Sequence, residues 1–203
     1  MKKGFSIKIS DKKTDIKSFI SGEYDDVYLK TEHFDFLLEG VLLNKKKLLT
    51  EYALKDFETL IRELYTQKKQ GLIKEFEGEF RGFIWNKKEG KLYVFTNPTS
   101  TQRVFYSKFK NEIFIDTSLV RLNKTLLSSG IRTTPDLESI YQLLCFSNLP
   151  ERKTPIENIA KLLDGHYLEV NCPDLSFSEK EYFNLSEIPV FKGTKAAAVD
   201  QIH

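Results

Sequence analysis

"FEGEFRGFIWNKKEGKLYVFTN", residues 76 to 97, is the stretch on which the fold turns. Two apolar runs flank "NKKEG", a Gly-containing turn of the length that joins antiparallel strands, so the segment reads as a hairpin. Phe76, Phe80, Phe83, Trp85, Tyr93 and Phe95 crowd into it without the polar recognition groups that a cofactor box needs, which predicts core between sheet layers. A second hairpin follows, "RVFYSK" and "EIFIDT" joined by "FKN", and the two together predict a four-stranded antiparallel meander over residues 79 to 117.

Working outward, "FSIKI" at 5 to 9 and parts of "VYLKTEHFDFLLEGVLL" at 27 to 43 alternate apolar and polar residues, as half-buried strands do. Behind Asp56, placed as an N-cap, Phe57, Leu60, Ile61 and Leu64 fall on one face of a helix running to about Gln70. A short helical piece follows around Leu72, Ile73 and Phe76. Leu137, Ile140, Tyr141 and Leu144 repeat the helical spacing behind Pro135 and Asp136, and "HYLEV" at 166 to 170 reads as the last strand. Single strands and helices do not alternate, so the fold class is α+β in layers of antiparallel sheet and helix.

Composition removes several classes of function. The 31 basic and 29 acidic residues leave a formal charge of +2, too small a field to recruit nucleic acid or anionic lipid, and clusters such as Lys45, Lys46 and Lys47 read as solvated faces. Cys145 and Cys172 form neither a disulfide framework nor a metal-ligand spacing, so a reducing cytoplasm is the simpler location. "MKKGFSIKIS" lacks the apolar core of a signal peptide, and nowhere do about 18 apolar residues run together, which predicts no membrane span.

Several motifs, taken in order, resemble the N-terminal glutaminase domain of the asparagine synthetase family, an N-terminal-nucleophile hydrolase fold. They are "LEGVLLN" at 38 to 44, "LKDFETLIRELY" at 54 to 65, "GEFRGFIWN" at 78 to 86, "TNPTSTQRVFY" at 96 to 106, "TPIENIAKLLDGHYLEV" from 154 and "EYFNL" at 181. The resemblance implies a layered αββα sandwich over residues 1 to 186. Residues 187 to 203 read as a linker and the start of a helix, Ala196 to Ile202, leading into a synthetase domain, so that the chain stops inside a larger protein.

Carried over residue by residue, the resemblance implies a glutaminase site that has lost its chemistry. Active members use a Cys immediately after the initiator Met as nucleophile, with its own α-amino group as base; here that position is Lys2, too bulky for Met removal. Cys145 and Cys172 lack the free amine. The Asn whose side-chain amide donates to the oxyanion falls at Glu39, an acceptor when ionised. Gly40 is kept, although close backbone packing explains it equally. The His-Arg-Gly-Pro-Asp loop has no counterpart before residue 34, and Asn97 stands where the family has Asp. Asp56 keeps the position that binds the substrate amino group, or is only a helix cap; His166 belongs to a structural Gly-His turn.

The expected function is therefore an inactive amidotransferase-like domain with a structural, regulatory or substrate-binding role. Its partner is an ATP-binding synthetase domain, in cis or in trans, that adenylates a carboxylate for amide formation, as in the similar β-lactam synthetases and lasso-peptide cyclases. No cofactor, metal, nucleic acid or membrane is expected. The alternatives are a stand-alone amino-acid or peptide binding module and a residual glutaminase supplying ammonia.

Overall fold

The structure, a computed structural model, describes residues 3–99, 101–187 and 193–194. Alternation places Phe5, Ile7 and Ile9 of β1 (Phe5–Ser10) in the interior and leaves Ser6, Lys8 and Ser10 half-exposed. β1 lies between β2 (Thr14–Ser18) and β8 (Glu112–Asp116), and β7 (Phe105–Phe109) and the short β9 (Ala160–Lys161) complete a five-stranded sheet in the order β2-β1-β8-β7-β9. The second sheet has six strands. Its order is β11 (Ser176–Glu181), β10 (His166–Asn171), β6 (Lys91–Thr96), β5 (Gly78–Asn86), β4 (Phe34–Leu42) and β3 (Val27–Lys30), with every pairing antiparallel.

The two sheets pack face to face around Phe5, Ile7, Ile9, Ile113 and Ile115 from one and Leu37, Phe83, Val94, Leu168 and Val170 from the other. Helices cover both outer faces. α1 (Lys45–Glu51), α2 (Phe57–Lys68) and a 3-10 turn at Lys69–Glu75 lay Leu48, Leu60, Ile61, Leu64, Leu72 and Ile73 on Phe36, Leu38, Phe80, Ile84 and Phe95. α3 (Leu119–Ser128) covers Phe114 with Leu122 and Leu126. α4 (Leu137–Phe146) contributes only Ser139 to the buried set. The layering is αββα.

Three details depart from the expectation. The meander over 79 to 117 is divided: β5 and β6 belong to the six-stranded sheet, β7 and β8 to the five-stranded one. Each hairpin is a local structure, whereas the crossing between them depends on the connection after Asn97, whose side chain binds Thr99, Thr101 and Gln102. Next, the hairpin aromatics serve two cores, with Phe83 and Trp85 between the sheets but Phe80, Tyr93 and Phe95 under the helices. Gly82 makes room for this, since a Cβ there would sit 2.7 Å from the Phe95 ring and 2.0 Å from the Leu37 carbonyl. Finally, β10 is not the last strand. β11 follows it at an edge with charged, mostly exposed residues, a composition that carries no alternation to read.

The lysine cluster opens α1, where Lys46 and Lys47 are exposed as expected and Lys45 instead reaches Asp25 at 2.7 Å. Among the described residues no helix is long and apolar enough to cross a membrane. The expected helix at Ala196 to Ile202 lies outside the described residues.

Phe80 is fully buried and meets Phe76 and Phe95 edge to face. Phe80→Ala is expected to cost about 3–5 kcal/mol in urea unfolding, whereas Phe109→Ala, at a ring 40% exposed, should stay within about 0.5 kcal/mol of the parent.

Candidate functional site

In the β4–β5 register Glu39 stands directly opposite Arg81, both on the face that carries Leu37 and Phe83 toward the other sheet. The Arg81 Nε donates to Glu39 Oε2 at 2.8 Å, with the two side chains only 11% and 9% exposed. Arg81 also crosses the gap between the sheets, because its Nη1 donates to the carbonyls of Arg103 at 2.9 Å and Thr117 at 3.3 Å. The pair is thus a clasp between layers at one end of the core.

Gly40, the next residue, has φ +135°, and a Cβ there would lie 2.1 Å from the Glu79 carbonyl. Only glycine fits there. Its N–H donates to Asp26 Oδ1 at 2.9 Å, and its carbonyl accepts from the Asp25 amide at 3.0 Å. Asp25 Oδ2 takes the Leu42 amide at 2.8 Å, so two adjacent aspartates continue the ladder where β3 has not yet begun. Burial pushes the Asp26 carboxyl up from its ordinary value, and the nearby charge of Glu39 adds to this against the Gly40 amide. Burial pushes Asp25 up as well, but the hydrogen bonds from Lys45 and the Leu42 amide outweigh it and the net shift is downward.

The head of β1 reaches the same place. Gly4, at φ +104°, lies so close to Thr117 that a Cβ would sit 1.8 Å from its Oγ1. Arg121 fixes the strand head: it pairs with the fully buried Asp116 at 2.7 Å and donates to the carbonyls of Phe5 at 3.2 Å and Lys3 at 3.4 Å. Lys3 pairs with Glu23. Lys3, Tyr24, Asp26, Glu39, Gly40, Arg81 and Gln102 enclose a cavity of about 200 Å³.

Residues 31–183, most of the chain, match the family described as glutamine amidotransferase domain. The chain belongs to the glutamine amidotransferase domain family. It is 25% identical over 168 residues to asparagine synthetase [glutamine-hydrolyzing] 2 of Bacillus subtilis (strain 168), covering 77% of this chain and 22% of the relative. It is 24% identical over 135 residues to asparagine synthetase [glutamine-hydrolyzing] 1 of the same organism, covering 66% and 20%. The match thus spans about a fifth of the length of these relatives. Among solved structures, glutamine phosphoribosylpyrophosphate (PRPP) amidotransferase from B. subtilis, complexed with ADP and GMP, superposes with a TM-score of 0.52 at 8% identity, over 88% of this chain and 43% of that one. A structure of the allosteric regulatory enzyme of purine biosynthesis gives 0.52 at 9% identity, over 89% and 43%. At those identities they show the fold alone, the layered αββα sandwich.

Within this amidotransferase domain the structure brings Glu39 and Gly40 together on the cavity at the head of β1. Asp56 does not line that cavity; it is the exposed N-cap of α2, accepting from Thr59 N at 2.8 Å and Thr59 Oγ1 at 2.7 Å. Those bonds, the backbone one first, hold its carboxyl below the ordinary value. Lys2 lies outside the described residues, and the lysine that lines the cavity is Lys3. His166 Nδ1 lies 2.7 Å from the Asp164 carbonyl in the turn before β10. Cys145 is exposed on α4 and Cys172 is half-buried.

Arg81, Asp26, Lys3 and Gln102 were not legible as site residues. Arg81 was the nearest to being so: it is a charge on the inward parity of a strand whose neighbours are Phe80 and Phe83.

Arg81→Leu leaves Glu39 buried without its partner and is expected to cost about 3–5 kcal/mol. The double variant Glu39→Leu/Arg81→Leu should recover most of that loss, as measured by urea unfolding of all four members of the cycle. The aspartates give a pH test. Because the folded Asp25 carboxyl is depressed, its contribution is present above the ordinary value of 3.8 and fades as pH falls through the folded value. Asp26 is raised, so its charged form weakens the fold as pH rises through its folded value. Thermal unfolding should show Asp25→Asn less stable than the parent at pH 7, Asp26→Asn at least as stable, and the Asp25→Asn deficit closing below about pH 4.

Proposed function

We propose that this domain, spanning residues 1 to 186 with residues 187 to 203 as a linker, does not hydrolyse glutamine. It acts in the cytoplasm, without a cofactor of its own, as a structural or regulatory module beside an ATP-dependent, carboxylate-adenylating synthetase domain. The observation that carries the reading is the Glu39–Arg81 clasp. Attack on an amide carbonyl places negative charge on its oxygen, and loss of one donor to that oxygen typically lowers turnover about 10²–10³-fold. Here the position that the family uses for the donor holds a carboxylate. Arg81 turns its Nε and Nη1 protons to Glu39, Arg103 and Thr117. The neighbouring Gly40 amide is likewise committed to Asp26. Lys2 supplies an amine in place of a thiol, and a protonated amine lacks the lone pair that attack on a carbonyl requires.

Partnership with a synthetase domain is supported by the relatives, which are glutamine-hydrolysing asparagine synthetases about five times longer than the matched segment. By the same reasoning Asp56 serves this chain as a helix cap.

A second reading rests on the cavity itself. About 200 Å³ is well below the volume of a drug-sized pocket, about 300–1,000 Å³, and suits a free amino acid or the end of a peptide. Asp26 and Glu39 would meet its ammonium group. Such a ligand, binding only the folded state, would raise the unfolding temperature.

Treatment with a glutamine-analogue electrophile, followed by intact mass measurement, is expected to leave the chain unmodified. An adduct on an N-terminal residue would overturn the inactive reading in favour of a residual glutaminase. A thermal-shift series over the amino acids and short peptides separates the two remaining readings, a flat response counting against the binding module.

A further inference from the structure

The sequence places Leu137, Ile140, Tyr141 and Leu144 on one helical stripe, the pattern of an amphipathic helix. The structure turns three of these residues outward and leaves Ile140 half-buried. Leu137 is 77% exposed, Tyr141 69% and Leu144 78%, and Phe146 at the end of the same helix is 75% exposed. α4 is held at its N-terminal end instead, through the Asp136 cap on Ser139 and the bond from the Asp136 amide to the Pro155 carbonyl. An apolar surface of this continuity on a folded domain marks an interaction site.

Its surroundings specify what covers it. Beside α4 a groove of about 210 Å³ is walled by Leu143, Leu149, Leu119 and Phe105 and rimmed by Arg103 and Lys161. Among the described residues those two cations have no carboxylate partner, whereas Arg152 and Lys153 are taken by Glu179 and Glu138. The occupant therefore brings apolar side chains and at least one carboxylate. The groove also adjoins the Glu39 cavity, since Arg103 is the residue whose carbonyl Arg81 binds and Gln102 lines the cavity wall. After β11 the chain turns along the same end of the sheet: Tyr182 bonds through its amide to Gly165 and through its hydroxyl to Thr96, and Thr96 pairs with Arg81 in the ladder.

We propose that the outward face of α4, with the groove rimmed by Arg103 and Lys161, docks the synthetase-type domain. This inference rests on the partnership argued under Proposed function and adds its location and chemistry. Cys145, between Leu144 and Phe146, is an internal reporter, because an exposed thiol reacts with a maleimide while the Cys172 thiol is half-buried and pushed up by burial.

The test compares maleimide labelling of Cys145, read by peptide mass, in the 203-residue chain and in the native protein purified from its source. Labelling is expected to be at least about ten-fold slower in the native protein, the ratio that a docked face should impose on an otherwise reactive thiol. Tyr141→Asp/Leu144→Asp in the native protein should restore the fast rate. The same double variant of the 203-residue chain should keep the parent's unfolding temperature, showing that the substitutions do not act by unfolding. Equal labelling in a native species that contains a synthetase-type domain would overturn the docking site and leave the partnership standing. Protection that grows with concentration in the 203-residue chain alone would make the occupant a second copy, also overturning the proposal. A native species of 23.6 kDa bound to no synthetase-type domain would overturn both.

Discussion

β4 and β5 are buried on both faces over most of their length, and the rest of the architecture follows from covering them. Phe36, Leu38, Phe80 and Ile84 need helices above, while Leu37 and Phe83 need a second sheet below. A strand pair in that position excludes water along nearly its whole length, so any charge placed on its inner face must find a partner within the protein. Glu39 and Arg81 are that case. Facing each other across one ladder position, they neutralise each other, and the two further carbonyls that Arg81 reaches tie the β4–β5 pair to the opposing sheet.

The same constraint shapes the chemistry at the cavity. An amidotransferase site needs donors aimed at a developing oxyanion and a nucleophile at the strand head. In this chain several groups near that point bond to one another: Glu39 to Arg81, the Gly40 amide to Asp26, and Lys3 to Glu23. The strand head itself is rigidly placed, through Arg121 on the carbonyls of Phe5 and Lys3 and through Thr117 on the Phe5 amide. The scaffold presents a first strand to a cavity whose lining includes several polar groups bonded to one another.

How much of this was legible in the sequence follows from the range of the forces involved. Hairpins, the α2 cap at Asp56 and the aromatic core were readable because each is set by residues close in sequence. The assignment of the two hairpins to different sheets was not, since it depends on a crossing that no periodicity records. α3 was missed although Leu122 and Leu126 are its buried stripe. For α4 the period is legible and the exposure of Leu137, Tyr141 and Leu144 is not, because an apolar stripe shows that a surface must be covered and not what covers it. At the site, Glu39 and Gly40 were found through resemblance, while Arg81 and Asp26 required the strand register and the irregular segment before β3, both non-local.

The account stands on the claim that a scaffold of the amidotransferase kind is present here without amide hydrolysis. The most direct measurement follows glutamine labelled with ¹⁵N at its side-chain amide by NMR, in the presence of the native protein with its amide acceptor and ATP both supplied and withheld. The account predicts that no labelled ammonium or labelled product amide appears beyond the buffer rate under either condition. Transfer of the label into ammonium or product, lost on removal of the first residues of β1, would contradict it and make the cavity at Glu39 a working glutaminase.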